Sequence, residues 1–127
     1  MRSRRRRLFH LFAAEPEGAA DASESLRRGE RVTDIVPDTA CDGLRAAIGP
    51  INFALLREHA VQVLLASDAE TIAAMRLIWE RLKIVVEASS AVALAAILRH
   101  RQHFAGMRVG VILTGGNVDL DRLPWVR

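Results

Sequence analysis

The sequence predicts an α/β fold in which a mostly parallel sheet is flanked by helices. Apolar stretches with strand character alternate with stretches of helical periodicity, in the order strand, helix, strand, helix, helix, strand. Helices between the strands supply the crossover connections that parallel strands require. With 127 residues, half of them hydrophobic, the chain is long enough for one small domain with a buried core.

The first half of the chain is predicted to contain strands, helices and one long loop. Residues 8–14 form an apolar strand that stops at Glu15 and Pro16. A helix over residues 19–28 ends at Gly29. The remaining predictions are a short strand over 31–36, a loop over 37–49, and a helix that Asn52 caps and that runs to His59.

The second half has stronger signals. Val61, Val63 and Leu65 alternate as in a strand, and Ser67 with Glu70 forms a capping box that opens a helix. That helix should bury one apolar stripe, formed by Ile72, Met75, Trp79 and Leu82. Three further elements are predicted: an extended piece over 84–86, a helix apolar on every side over 91–98, and a final strand over 108–113.

The net charge of +3 comes from the first seven residues, which contain five arginines. Without them, 13 basic residues face 15 acidic ones, a net charge of −2. We predict that residues 1–7 are disordered rather than a nucleic-acid-binding arm, because no aromatic residues are interleaved with the arginines. The apolar stretch over 8–14 is too short for a secretion signal, and no run approaches the ~20 residues of a membrane helix.

Cys41 is the only cysteine, so an internal disulfide is excluded and a reducing compartment such as the cytoplasm is indicated. We do not expect Cys41 to act as a nucleophile. His100 and His103 share a helix face, but the sequence offers them no third metal ligand.

Four motifs resemble, in order and in spacing, the C-terminal third of one enzyme family. They are an Ala-Ala-Glu-Pro segment, an Asp-Gly loop, a Trp-Glu-Arg-Leu segment ending in a glutamate, and an apolar run ending in Thr-Gly-Gly-Asn; they occupy residues 13–22, 37–44, 79–87 and 109–120. The family is that of the pyridoxal-phosphate (PLP) dependent serine and threonine dehydratases and serine racemases, which have the fold-type-II architecture related to the tryptophan synthase β subunit. The resemblance runs from about residue 8 to the end.

The resemblance implies a cofactor-binding loop at Thr114, where the family places a hydroxyl against the PLP ring nitrogen. A neutral hydroxyl holds a proton on that nitrogen less firmly than a carboxylate would, which favours elimination of a β-hydroxyl. Gly115 and Gly116 would let the backbone approach the ring, and Glu87 matches a glutamate near it. Two simpler interpretations stay open: a tight turn after a strand at Thr114, and a helix start after Glu87 capped by a neighbouring serine.

The resemblance also implies a divalent-cation site at Glu15, Ala19 and Asp21. Two carboxylates and one backbone carbonyl suit Mg²⁺, Ca²⁺ or Mn²⁺. The alternative is that these carboxylates only complement the dipole of the following helix.

The family's catalytic lysine and its phosphate-binding glycine run have no counterpart in this sequence. The single lysine, Lys83, falls in a segment that matches a non-catalytic part of the family. We therefore expect residues 8–127 to be a partial domain, with no catalytic residue of its own, from a truncated or frame-shifted gene. The intact enzyme would dehydrate L-serine or L-threonine, racemise serine, or act on 3-hydroxyaspartate. Alternatively, the chain is the non-catalytic half of a split enzyme, an interaction module that docks on an N-terminal half; the family is commonly dimeric.

Overall fold

A computed structural model describes residues 9–126. The regular elements are strands β1 (Phe12–Pro16) and β2 (Gln62–Ala66) and helices α1 (Asp21–Arg28), α2 (Pro50–Glu58), α3 (Asp68–Leu82) and α4 (Ala88–Arg99). Short 3-10 turns cover Glu17–Ala19, Asp42–Leu44 and Arg101–Phe104. The N-terminal segment predicted to be disordered, residues 1–7, lies outside the described residues. None of the helices described is both long and apolar enough to cross a membrane.

The two strands are parallel, which confirms the predicted α/β class. Their register runs from Phe12 opposite Gln62 to Pro16 opposite Ala66, and α1 and α2 lie between them in the chain. The predicted boundaries of β1 are wrong, because the strand continues through Glu15 and Pro16. Proline is tolerated there because it is the last residue of a strand that has a partner on one side only within residues 9–126.

Two other predicted strands, over 31–36 and 108–113, are wrong, and residues 84–86 pair with no strand either. In the part of the chain that is described, these segments have no ladder partner. Val36 and Ile112 are 86% and 82% exposed. β-branched composition alone therefore did not make strands, since a strand also needs a second backbone beside it.

The helix ends follow local chemistry. Gly29 ends α1 in the left-handed conformation, with φ +77°, as predicted. The predicted start of α2 is wrong: Gly49 is the N-cap and Pro50 the first helical residue, a position that suits proline because its missing N–H has no intrahelical partner. The capping box of α3 is confirmed, with the Ser67 amide donating to a Glu70 carboxylate oxygen at 2.8 Å.

The predicted apolar stripes are partly right. In α3, Met75 is buried and Trp79 half-buried, but Leu82, at the end of the helix, is 58% exposed. The buried face is instead formed by Thr71, Ala74, Met75 and Ile78. Helix α4 is not buried on every side, because Leu98 is 49% exposed.

The core consists of two adjoining clusters. The first contains Cys41 and lies between the strands, α3 and α4. The second surrounds Ile78 where α3 meets α4, and partly buried side chains from the C-terminal segment, Leu113, Val118 and Trp125, pack against it. The rings of Trp79 and Trp125 meet edge to face at 5.2 Å. The second cluster thus attaches the segment after residue 112 to the two helices.

The thiol of Cys41 is fully buried, and that burial raises its pKa to about 11. Since the thiolate is the reactive form, we expect native Cys41 to react with iodoacetamide at pH 8 far more slowly than the same residue in urea. Mass spectrometry of the single-cysteine chain measures both rates. Equal rates in the native and unfolded chain would contradict this placement of Cys41.

Candidate functional site

Three of the four sequence motifs meet at the N-terminal end of α4. The helix begins at Ala88, and its first turn lies between the Asp42–Gly43 turn and the loop formed by residues 114–117. We call this loop the Thr114 loop. Motifs more than 20 residues apart in sequence therefore form one surface.

The Thr114 loop is attached to the start of α4 by three hydrogen bonds. The Thr114 amide donates to the Ser90 hydroxyl at 2.9 Å, and the Asn117 amide donates to the Glu87 carboxylate at 2.7 Å. The Glu87 amide donates to the Gly115 carbonyl at 3.3 Å. Glu87 thus bonds the loop through both its backbone and its side chain.

Contacts within the chain explain why two positions of the loop are glycine. Gly115 has φ +83°, and a Cβ atom there would lie 2.7 Å from the carboxyl carbon of Glu87. A Cβ atom on Gly116 would lie 3.2 Å from the Val85 carbonyl oxygen. The loop therefore needs small residues in order to pack against α4, whatever it binds on its open side.

The Asp-Gly turn reaches the same place from the other side. The Gly43 amide donates to the Ser89 hydroxyl at 3.0 Å and to the Asp42 carboxylate at 2.8 Å. A Cβ atom on Gly43 would lie 3.7 Å from a Glu87 carboxylate oxygen. The half-buried Glu87 carboxylate consequently lies between two glycine turns.

Of the predicted cofactor-binding residues, the structure brings Thr114, Gly115 and Glu87 together. Thr114 is exposed on the loop, but no strand precedes it, so its predicted place at the end of a strand over 108–113 is wrong. The predicted helix cap is also wrong: Glu87 is the N-cap residue, and the two serines lie inside the first turn. Sequence reasoning missed the bond between Ser90 and Thr114, because no pattern links residues 24 positions apart.

The two carboxylates of the predicted cation site lie near the start of α1 and accept backbone amides. The Glu15 carboxylate accepts the amides of Ala22 at 3.0 Å and Ser23 at 2.8 Å. The Asp21 carboxylate accepts the Ile48 amide at 2.6 Å. Burial raises the pKa of Glu15, although the two amides oppose that shift. The contacts of Glu15 match the helix-dipole alternative, whereas Asp21 links α1 to the loop before α2. The cation role stays a prediction.

Within residues 9–126, no group of three or more His, Cys, Asp or Glu side chains is arranged to hold a metal ion. The rings of His100 and His103 stack with centroids 5.8 Å apart, and a ring nitrogen of His100 lies 3.1 Å from the Leu65 carbonyl oxygen. Lys83 is exposed at the end of α3 in the left-handed conformation, where its amide donates to Trp79.

These residues fit one end of PLP. Thr114 is an exposed residue that carries a hydroxyl, and hydrogen bonds hold its backbone in place. A partner for a ring nitrogen needs both properties. The phosphate and the covalent link need a glycine-rich cradle and a lysine. The sequence has no run of three glycines, and its one lysine ends a helix.

Comparisons with known proteins give the same family. The family model described as "Pyridoxal-phosphate dependent enzyme" matches residues 2–115. The β-hydroxyaspartate dehydratase of Paracoccus denitrificans is 50% identical over 115 residues, which are 91% of this chain and 36% of that protein.

Two solved structures are also similar. Maize serine racemase superposes with a TM-score of 0.83 at 36% identity, over 88% of this chain and 36% of that one. The threonine deaminase of T.th. gives a TM-score of 0.79 at 36% identity, over 87% and 41% of the two chains. The chain thus spans roughly a third of the length of these relatives, and it belongs to the family of pyridoxal-phosphate dependent enzymes, with the fold-type-II architecture.

Proposed function

We propose that this chain supplies the ring-nitrogen side of the PLP site in an enzyme acting on a hydroxy amino acid. The observation that carries the proposal is the exposed Thr114, on a loop that is hydrogen-bonded to the start of α4 beside Glu87. In this role the Thr114 hydroxyl binds the pyridine nitrogen and Glu87 lies next to the ring. PLP, when bound, supplies the electron sink for chemistry at the substrate Cα.

The substrate class follows from what the relatives share. By their names, the three proteins act on β-hydroxyaspartate, serine and threonine. All three compounds are amino acids that carry a β-hydroxyl, and the reactions are dehydration, racemisation and deamination. We therefore propose serine, threonine or 3-hydroxyaspartate as the substrate of the assembled enzyme.

We propose that the chain alone is inactive. Its one lysine, Lys83, lies in a segment that matches a non-catalytic part of the family, and the sequence has no glycine run to bind the phosphate. The test is to mix the purified chain with PLP, treat it with borohydride, and look for lysine-linked cofactor by absorbance and mass spectrometry. Stoichiometric labelling of Lys83, together with turnover of serine or threonine, would contradict this part of the proposal.

Thr114→Ala tests the role of the hydroxyl. A suitable host is a chimera in which residues 9–126 replace the matching segment of the Paracoccus dehydratase. One neutral hydrogen bond contributes about 1 kcal/mol, so we expect Thr114→Ala to weaken PLP binding by about fivefold and to slow turnover. Thr114→Ser should retain wild-type affinity, and Thr114→Asp should slow elimination further. PLP affinity and turnover unchanged by Thr114→Ala would refute the assignment.

A second candidate function is that of an interaction module. Segment 108–113, which pairs with no strand among residues 9–126, favours it. Val109, Val111 and Ile112 are 44%, 39% and 82% exposed, although β-branched side chains such as these favour packing within a sheet. The proposed partner is the N-terminal two thirds of a family member, with strands that would pair with this segment. The test is co-purification of this chain with that part of the Paracoccus dehydratase. Ile112→Asp should abolish co-purification. The control variant Arg101→Asp changes an exposed turn and should leave co-purification intact.

Three subsidiary proposals have their own tests. A Mg²⁺, Ca²⁺ or Mn²⁺ ion at Glu15, Ala19 and Asp21 would raise the melting temperature of the chimera, and Asp21→Asn would abolish that rise. Homodimerisation of the assembled enzyme would appear in sedimentation. Cell fractionation would test a cytoplasmic location, which the single cysteine favours.

A further inference from the structure

The Thr114 loop depends on α4 for its position. The segment before it, residues 107–113, forms neither helix nor strand in the described part of the chain. The loop's backbone bonds to α4 are made to Glu87 and Ser90. Within residues 9–126, the hydrogen bonds that hold the loop around Thr114 therefore come from the start of a helix and not from a sheet edge.

Of the three hydrogen bonds between the loop and the start of α4, the one to Thr114 itself is made by Ser90. Ser90 is 5% exposed, and the residues that follow it, Ala91 and Val92, are 0% and 3% exposed in the core. The Ser90 hydroxyl accepts the amide of Thr114 at 2.9 Å. This bond is part-buried, so it is harder to exchange for one to solvent than a fully exposed bond is, and it restrains the loop more effectively than such a bond would.

We propose that Ser90 is a positioning residue for the cofactor: its buried hydroxyl holds the Thr114 backbone so that the Thr114 hydroxyl faces the pyridine nitrogen. The inference rests on the proposed function of Thr114. In this proposal Ser90 acts on the cofactor through Thr114 and does not touch it.

The first test uses the 127-residue chain and amide hydrogen exchange. Ser90→Ala should speed exchange at the Thr114 amide by about tenfold. The matched control is Ser25→Ala, since Ser25 is a fully buried serine whose hydroxyl accepts the Val32 amide at 2.9 Å. That variant should speed exchange at Val32 and leave Thr114 unchanged. Equal acceleration at both amides in Ser90→Ala would indicate global destabilisation and overturn the proposal, as would no change at Thr114.

The second test measures cofactor in the chimera with the Paracoccus dehydratase. Ser90→Ala should weaken PLP binding severalfold and shift the absorbance of bound PLP or its pH dependence, while Ser25→Ala should change neither. Thr114→Ala distinguishes the role of Thr114 from that of Ser90. If Thr114→Ala alters PLP binding and Ser90→Ala does not, the positioning role is wrong and the function of Thr114 stands. If neither variant alters it, both are wrong.

Discussion

Replacing Gly115 with alanine should disrupt the candidate site more than any other single-atom addition in the loop. The backbone there has φ +83°, which an alanine adopts only with strain, and the new Cβ atom would lie 2.7 Å from the carboxyl carbon of Glu87. The clash is with the far end of the Glu87 side chain, so we expect that side chain to move and to lose its bond to the Asn117 amide. We expect the free energy of unfolding to fall by about 1–3 kcal/mol, and PLP binding in the chimera to weaken at least about tenfold.

Two other glycines provide matched controls for Gly115→Ala. Gly29 has φ +77° with nothing within 4 Å of an added Cβ atom, so Gly29→Ala should show the backbone strain alone, about 1 kcal/mol. Gly110, in the segment that leads to the loop, has neither the strain nor a close neighbour. Gly110→Ala should therefore be neutral or slightly stabilising. Urea unfolding measures all three; a Gly115→Ala chain as stable as Gly110→Ala would contradict the loop geometry.

Truncation of Ile78 to alanine should produce the largest loss of stability. Ile78 is 2% exposed at the junction of α3 and α4, in the cluster that also holds Leu113, Val118 and Trp125. Removing a buried isoleucine to alanine leaves a cavity and costs about 2–5 kcal/mol. Because the cluster attaches the C-terminal segment, we also expect faster amide exchange over residues 113–118.

The neighbouring residue is the control for Ile78→Ala. Leu77 is 36% exposed, so Leu77→Ala removes similar atoms from the same helix, leaves no closed cavity, and should cost only about 1 kcal/mol. The measurement is the free energy of unfolding in urea, with tryptophan fluorescence reporting on Trp79 and Trp125. Equal losses for the two variants would mean that the buried face of α3 is assigned wrongly.

Local chemistry explains the elements that were predicted correctly. The Ser67–Glu70 capping box and the Gly29 terminator each act through atoms within a few residues, so their geometry can be read from the sequence. The order of strand, helix, strand and helices likewise follows from periodicity. The four motifs led to the family, since their order and spacing carry more information than any one of them.

Long-range contacts account for the wrong predictions. The segments over 31–36 and 108–113 have strand composition but no partner within the described residues, and pairing is a property of two segments. The stripe of α3 is turned relative to the prediction, because what covers each side of a helix depends on where its neighbours lie. Helix α4 has an exposed side for the same reason.

The sequence by itself determined the family and the α/β class. It also singled out Thr114 and Glu87 as candidate cofactor-binding residues and showed that Lys83 is the one lysine. Only the tertiary structure decided how those residues are held. In the folded chain the Thr114 amide donates a hydrogen bond to the Ser90 hydroxyl, and the Glu15 carboxylate accepts hydrogen bonds from the first amides of α1. The Glu87 carboxylate lies against Gly115. The physical reason is that residue types and spacing encode short-range hydrogen bonds and periodic burial. A bond between residues 24 positions apart exists only after the chain has folded.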